Sequence, residues 1–105
     1  MEDTASLDAP TVPDSIRRLA GRLGAERAVR RVVLFGSRAR GEAHPRADVD
    51  LAVDAPQATR REWIRLTEIV EEADTLLPID LVWLEEAPDE LRARILAEGR
   101  TLFER

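Results

Sequence analysis

Arg31-Val32-Val33-Leu34-Phe35-Gly36-Ser37 and, eleven residues after that serine, Asp48-Val49-Asp50-Leu51-Ala52-Val53 are the two stretches on which the fold turns. The first is a β-branched and apolar run that stops at a glycine, which predicts a buried strand followed by an abrupt turn. The second alternates acid and apolar residues at period two, the pattern of a strand, and carboxylates start it. The segment between them, Gly36 to Arg46, is polar and punctuated by Gly41 and Pro45. Ser37 is placed to cap a short helical turn over Arg38–Arg40.

Upstream, Asp14 is a candidate N-cap for a helix through about Gly24, with Ile16, Leu19, Ala20 and Leu23 on one face. Downstream, Trp63, Leu66, Ile69, Val70, Ala73 and Leu77 recur at spacings of three and four, which predicts a helix from Thr59 to Leu77 stopped by Pro78. Ile79 to Leu84 reads as a third strand with an acid, Asp80, at its second position. Pro88-Asp89-Glu90 opens a last helix with Gly99 as its C′ residue, and Leu102-Phe103 offers a final short strand. Alternation of this kind argues an α/β fold: a small mixed sheet of three to four strands flanked by helices. Residues 1–13, acidic and rich in proline, read as a flexible tail, leaving 14–105 as a single domain.

Composition narrows the chemistry. The 105 residues carry no cysteine, so disulfides, thiolate metal sites and cysteine nucleophiles are excluded. All 16 basic residues are arginine, which excludes Schiff-base chemistry and a Walker-type phosphate lysine; any cation that grips phosphate must be an arginine. A net charge of −5 argues against strong nucleic-acid binding, which needs a basic footprint. No secretory signal or apolar run of the ~20 residues a membrane helix needs is visible, so the cytoplasm is the expected compartment.

Two residues apart on a strand, Asp48 and Asp50 leave the same face. Two adjacent carboxylates repel and are costly to keep charged, a conflict that a hard divalent cation such as Mg²⁺ resolves. Asp80, on the next strand, can complete a three-carboxylate site, and three acids with two metal ions and a nucleoside triphosphate suit in-line phosphoryl transfer. An Asp-x-Asp pair alone is weak, and on the pair alone a solvated strand start is the better explanation. Gly36-Ser37 shifts the balance: a glycine after a buried strand lets the backbone approach a ligand, and a serine with the turn's N–H groups can hold phosphate oxygens.

The run Gly36-Ser37-Arg38-Ala39-Arg40-Gly41 followed by Asp48-Val49-Asp50-Leu51 resembles the signature of the DNA polymerase β-like nucleotidyltransferase superfamily. With Asp80 and the closing Glu98-Gly99-Arg100, the resemblance spans about residues 14–104 and is nearest to the minimal nucleotidyltransferases (MNT) that accompany HEPN-domain toxins. It implies that Asp48 and Asp50 bind two Mg²⁺ ions, that Asp80 binds the catalytic one and helps activate the acceptor hydroxyl, and that Gly36 and Ser37 hold the β- and γ-phosphates of ATP. Arg38 and Arg40 are then candidate phosphate or acceptor contacts. Ala47 stands where relatives usually have serine, which removes a hydroxyl but no metal ligand.

The function implied is transfer of a nucleoside monophosphate, AMP from ATP, onto a hydroxyl, with a tyrosine of a HEPN partner as acceptor in a toxin–antitoxin pair. Two other readings stay open: transfer to a small molecule with a separate substrate-binding subunit, and a non-catalytic antitoxin that acts by binding. His44 reads as a surface loop residue, Trp63 and Trp83 as core, Asp54 as too far along its strand to share the metal site, and Glu71-Glu72 and Glu85-Glu86 as solvated ends.

Overall fold

The computed structural model describes residues 12–105, so the tail read over 1–13 lies, up to residue 11, outside the described residues. Its elements alternate as the sequence pattern requires: α1 (Asp14–Gly24), β1 (Arg31–Phe35), β2 (Val49–Asp54), α2 (Arg60–Glu71), β3 (Ile79–Trp83), a 3₁₀ turn (Leu84–Glu86), α3 (Asp89–Glu98) and β4 (Arg100–Glu104). The strands form one mixed sheet in the order β3-β2-β1-β4. β1 runs antiparallel to β2 and β4, whereas β2 and β3 are parallel, which requires the crossover that α2 supplies.

The two sheet faces follow from strand parity. Val32 and Leu34 of β1 and Val49, Leu51 and Val53 of β2 point to one face, where Ile16, Leu19 and Leu23 of α1 and Leu66 and Ile69 of α2 close the main core. Val33, Phe35 and Ala52 point the other way, against Leu84 and Ile95. Burial of each large aliphatic side chain in these layers contributes about 1.5–3 kcal/mol. Where α1 crosses β4, a β-carbon on Gly24 would lie 2.6 Å from the Phe103 ring, so only glycine permits that approach.

Helix ends differ from the sequence reading in three places. α1 starts one residue earlier than a side-chain cap at Asp14 requires: Pro13 is the N-cap, its carbonyl accepts from Ile16 and Arg17, and Asp14 sits in the first turn where the helix dipole favours an anion. α2 begins as expected, with a reciprocal capping box between Thr59 and Glu62, but it ends at Glu71 rather than Leu77. Glu68, Glu71, Glu72 and Asp74 crowd the negative end of the dipole with no basic residue in the last turn to offset them. The chain turns instead through Thr75, whose hydroxyl accepts from the Leu77 amide. Gly99 follows α3 with φ −70°, not in the left-handed region; it is glycine because a β-carbon would strike Val33 and the Ile95 carbonyl.

Beyond the far end of β2, two acids pair that the sequence reading treated as unrelated. Asp54, only 5 % exposed, takes an ion pair from Arg31 at 3.1 Å. Glu85 is not a solvated end: it is half-buried and accepts from the Ala55 amide at 2.9 Å. Burial, and then the hydrogen bond with Asp54, push the Glu85 carboxyl up. Burial also acts to raise Asp54, but the Glu85 and Arg31 hydrogen bonds and the nearby arginine charges outweigh it and hold Asp54 down. Of the two, Glu85 is therefore the one that takes up a proton first as pH falls.

A raised folded pKa means Glu85 contributes stability that is full below its unfolded value, about 4.3, and is lost as pH rises through its folded value. Asp54 contributes in the opposite sense, and its share is lost only as pH falls through its depressed folded value. Glu85→Gln keeps the acceptor for Ala55 and supplies a permanent donor to Asp54. Its melting temperature is expected to exceed wild type by a few degrees at pH 8 and to match it near pH 4. Thermal melts across that range check this, and an equal offset at both ends refutes the raised Glu85 carboxyl.

Candidate active site

The topology explains why distant residues meet. Because β1 and β2 are antiparallel, the exit of β1 lies beside the entry of β2, and Phe35 pairs with Asp50. Because β2 and β3 are parallel, their entries coincide, and Asp50 pairs with Asp80. Register partners on neighbouring strands are about 4.8 Å apart along the hydrogen-bonding direction, so the two carboxylates leave the same face side by side. That face is the one α3 covers only in part.

Gly36 closes the other side. It adopts φ +77°, a left-handed conformation that admits the sharp exit from β1, and a β-carbon there would collide with Oδ2 of Asp50. The turn that follows is tied internally: the Gly36 carbonyl accepts from Ala39 at 3.1 Å and Arg40 at 3.2 Å, and the Ser37 carbonyl accepts from Glu42 at 2.9 Å. The chain does turn over Arg38–Arg40, but the turn is anchored on the Gly36 carbonyl, and no cap from the Ser37 side chain forms among the described residues.

Asp48 stands just outside the sheet. β2 begins at Val49, not Asp48, and Asp48 is exposed at the end of the loop that leads in. It still acts electrostatically on its neighbour: burial foremost, then the charges of Asp80 and Asp48, raise the Asp50 carboxyl, with Arg40 opposing them. Among the described residues no three acidic or histidine side chains converge closely enough to hold an ion as they stand. The donor chemistry nevertheless fits a hard divalent cation, because mutual repulsion among carboxylates is the conflict such an ion relieves. Asp50 and Asp80 would hold it, with Asp48 drawn in from the loop.

The two candidate arginines differ. Arg40 is exposed and paired with Glu42 at 3.0 Å and Glu98 at 3.1 Å; such surface pairs cost little to exchange for a phosphate. Arg38 is 8 % exposed, and its guanidinium donates to the carbonyls of Pro45 and Ala47. The group that the sequence reading offered to phosphate is committed to the loop. His44 lies in that loop, exposed, accepting at Nδ1 from the Arg46 amide.

Sequence reasoning missed the clasp from the chain's end. Arg100 donates to the Ala39 carbonyl at 3.3 Å while Glu98 holds Arg40, so the α3–β4 junction braces the Gly-Ser turn. The Glu98-Gly99-Arg100 pattern was the only signal for it. Trp63 and Trp83 pack on the main core yet stay half-buried, stacked with centroids 5.2 Å apart. They line a cleft of about 450 Å³ beside Val82 and Leu91, on the β3 side of the sheet.

A mixed four-stranded sheet that sets paired acids against a glycine turn is the architecture of polymerase β-like nucleotidyltransferases. The chain belongs to the family described as polymerase beta nucleotidyltransferase, whose model matches residues 19–105. No protein of curated function matches it in sequence. Among solved structures, a toxin–antitoxin complex with AMP-PNP superposes with a TM-score of 0.64 at 24% identity, covering 88% of this chain and 73% of that one. The complex MntA-HepT matches with a TM-score of 0.57 at 21% identity, over 88% and 69% of the two chains. A structure of a tri-AMPylated Shewanella oneidensis HEPN toxin with its MNT antitoxin gives 0.57 at 22% identity, over 88% and 69%. At these identities the likeness carries the fold. No helix among the described residues is long and apolar enough to cross a membrane.

Proposed function

We propose that this chain transfers AMP from ATP to a hydroxyl, and that the acceptor is a tyrosine of a HEPN-domain partner that it silences. The observation that carries the reading is the register of Asp50 with Asp80 directly against the Gly36 backbone. It sets two carboxylates side by side on one face, with the glycine backbone packed directly against one of them. The partner is suggested by the structural neighbours, one of which holds AMP-PNP and another an AMPylated HEPN toxin bound to an MNT antitoxin.

In this reading Gly36 and Ser37 seat the β- and γ-phosphates, and Arg40 leaves its surface partners to neutralise them. Asp48, Asp50 and Asp80 would hold two Mg²⁺ ions, which would polarise the α-phosphate and lower the pKa of the attacking hydroxyl. Asp80 orients that hydroxyl and draws off its proton. The new bond joins the acceptor oxygen to the α-phosphorus as the bond to pyrophosphate breaks opposite it.

A second reading, an antitoxin that works by contact alone, draws on one observation: Asp48 lies outside the strand and the acids do not close on a common point. Incubation with Mg²⁺, ATP labelled at the α-phosphate and a HEPN protein encoded beside it separates the two. Label on the partner that Asp48→Ala removes is the expected result. Silencing of the partner's RNase without nucleotide, and equally by Asp48→Ala, would establish the binder instead.

A further inference from the structure

We infer that Arg38 is a positioning residue that sets Asp48 relative to the Gly36-Ser37 turn. The observation is a buried guanidinium whose hydrogen bonds go to backbone carbonyls. Nη2 donates to Pro45 at 2.8 Å and to Ala47 at 2.9 Å, and Nε donates to Ala47 at 3.2 Å. Arg38 follows Ser37 in the chain, and Ala47 precedes Asp48. One side chain therefore ties the residue after the phosphate-binding serine to the residue before the exposed carboxylate.

Little else holds that loop. Glu42, His44, Pro45, Arg46 and Asp48 are all exposed. Its backbone bonds are a turn from Ala47 to the His44 carbonyl, the Arg46 amide to Nδ1 of His44, and anchors at its two ends, Glu42 to Ser37 and Val49 to Pro78. Burying a guanidinium, here 8 % exposed, is costly unless its donors are matched, and the planar fork of arginine holds its donors pre-organised toward both carbonyls where the compact, strongly hydrated ammonium of lysine is not. The net arrangement is a short strut: the loop cannot move Asp48 away from Asp50 without stripping buried donors of their partners.

This inference rests on the nucleotidyl-transfer reading only for its consequence at the metal, so the test separates the two. Hydrogen–deuterium exchange on the metal-free full chain compares wild type with Arg38→Lys and Arg38→Gln. Exchange across residues 42–49 is expected to quicken at least about tenfold in both, with sheet peptides unchanged. Electron paramagnetic resonance then follows Mn²⁺ uptake in the presence of AMP-PNP. Arg38→Lys is expected to bind Mn²⁺ about ten- to a hundredfold more weakly, as for other residues that orient ligands, and to lose kcat more than it raises KM for ATP.

Unchanged exchange over 42–49 in the folded variants overturns the inference, as does wild-type Mn²⁺ affinity with a loosened loop. Unfolding of both variants overturns it too, because the side chain would then support the whole fold and not this loop. If wild type itself takes up no Mn²⁺ with nucleotide, the transfer reading fails, and the exchange result alone decides the role of Arg38.

Discussion

Asp50→Asn is expected to abolish nucleotidyl transfer, by on the order of 10³-fold or more, while raising the melting temperature of the metal-free protein. In the proposed reaction the loss follows because Asp50 is the central acid of the candidate site, in register with Asp80 and packed against Gly36. Removing one metal ligand there forfeits several kcal/mol of transition-state stabilisation. The gain follows from the sign of its titration. Burial and the charges of Asp80 and Asp48 raise the folded carboxyl above its ordinary value, so its contribution is full below the unfolded value and is lost as pH rises through the folded one. At neutral pH the protein bears that repulsion, and asparagine relieves it; the melting temperature is expected to rise by a few degrees. Adding Mg²⁺ and AMP-PNP should reverse the ranking, since only wild type then gains the stabilisation of a bound ligand. Labelled-ATP transfer and thermal melts with and without metal measure both halves. A variant that keeps more than a tenth of wild-type transfer would remove Asp50 from the site.

The parts of this molecule legible in its sequence are those written in periodicity and local spacing. Val32 to Phe35 and Val49 to Val53 carry their strand character in consecutive residues, and parity alone predicts which face each occupies. The meeting of Gly36, Asp50 and Asp80 was legible for the same reason: each sits at the exit or entry of a strand, and an antiparallel pair beside a parallel one brings such ends together. What was not legible depends on partners distant in sequence or on backbone atoms. Arg38 beside a Gly-Ser turn reads as a candidate phosphate or acceptor contact because its actual partners, the Pro45 and Ala47 carbonyls, leave no side-chain signature. Glu85 reads as a solvated end because Asp54 stands 31 residues earlier, on another strand. The end of α2 was misplaced because Ala73 and Leu77 continue the apolar spacing after the accumulated acids have made the helix terminus unfavourable; there electrostatics overrides periodicity.

Gly36→Ala should cost both stability and activity, whereas Gly41→Ala should cost stability alone. The two glycines make a matched pair, with φ +77° and +76° in the same turn region. A methyl group at either must be held in a left-handed conformation, at about 1–2 kcal/mol. Their surroundings differ. Nothing lies within 4 Å of a β-carbon built on Gly41, but on Gly36 it meets the Asp50 carboxylate. The neighbour that must give way is the end of a side chain, so the fold can accommodate alanine by displacing that carboxylate, and the displacement falls on the group the proposed reaction needs. Misplacing a reacting group by about 1 Å can cost on the order of 10²-fold. Gly36→Ala is thus expected to lose transfer by about that factor and to melt below Gly41→Ala. Gly41→Ala should stay within about threefold of wild-type transfer, because a β-carbon there meets neither Asp50 nor any other group beyond its chain neighbours. Chemical denaturation of both variants beside the labelled-ATP assay reads the two effects separately. Equal activity losses would mean that the turn's conformation governs catalysis and the approach of Gly36 to Asp50 does not.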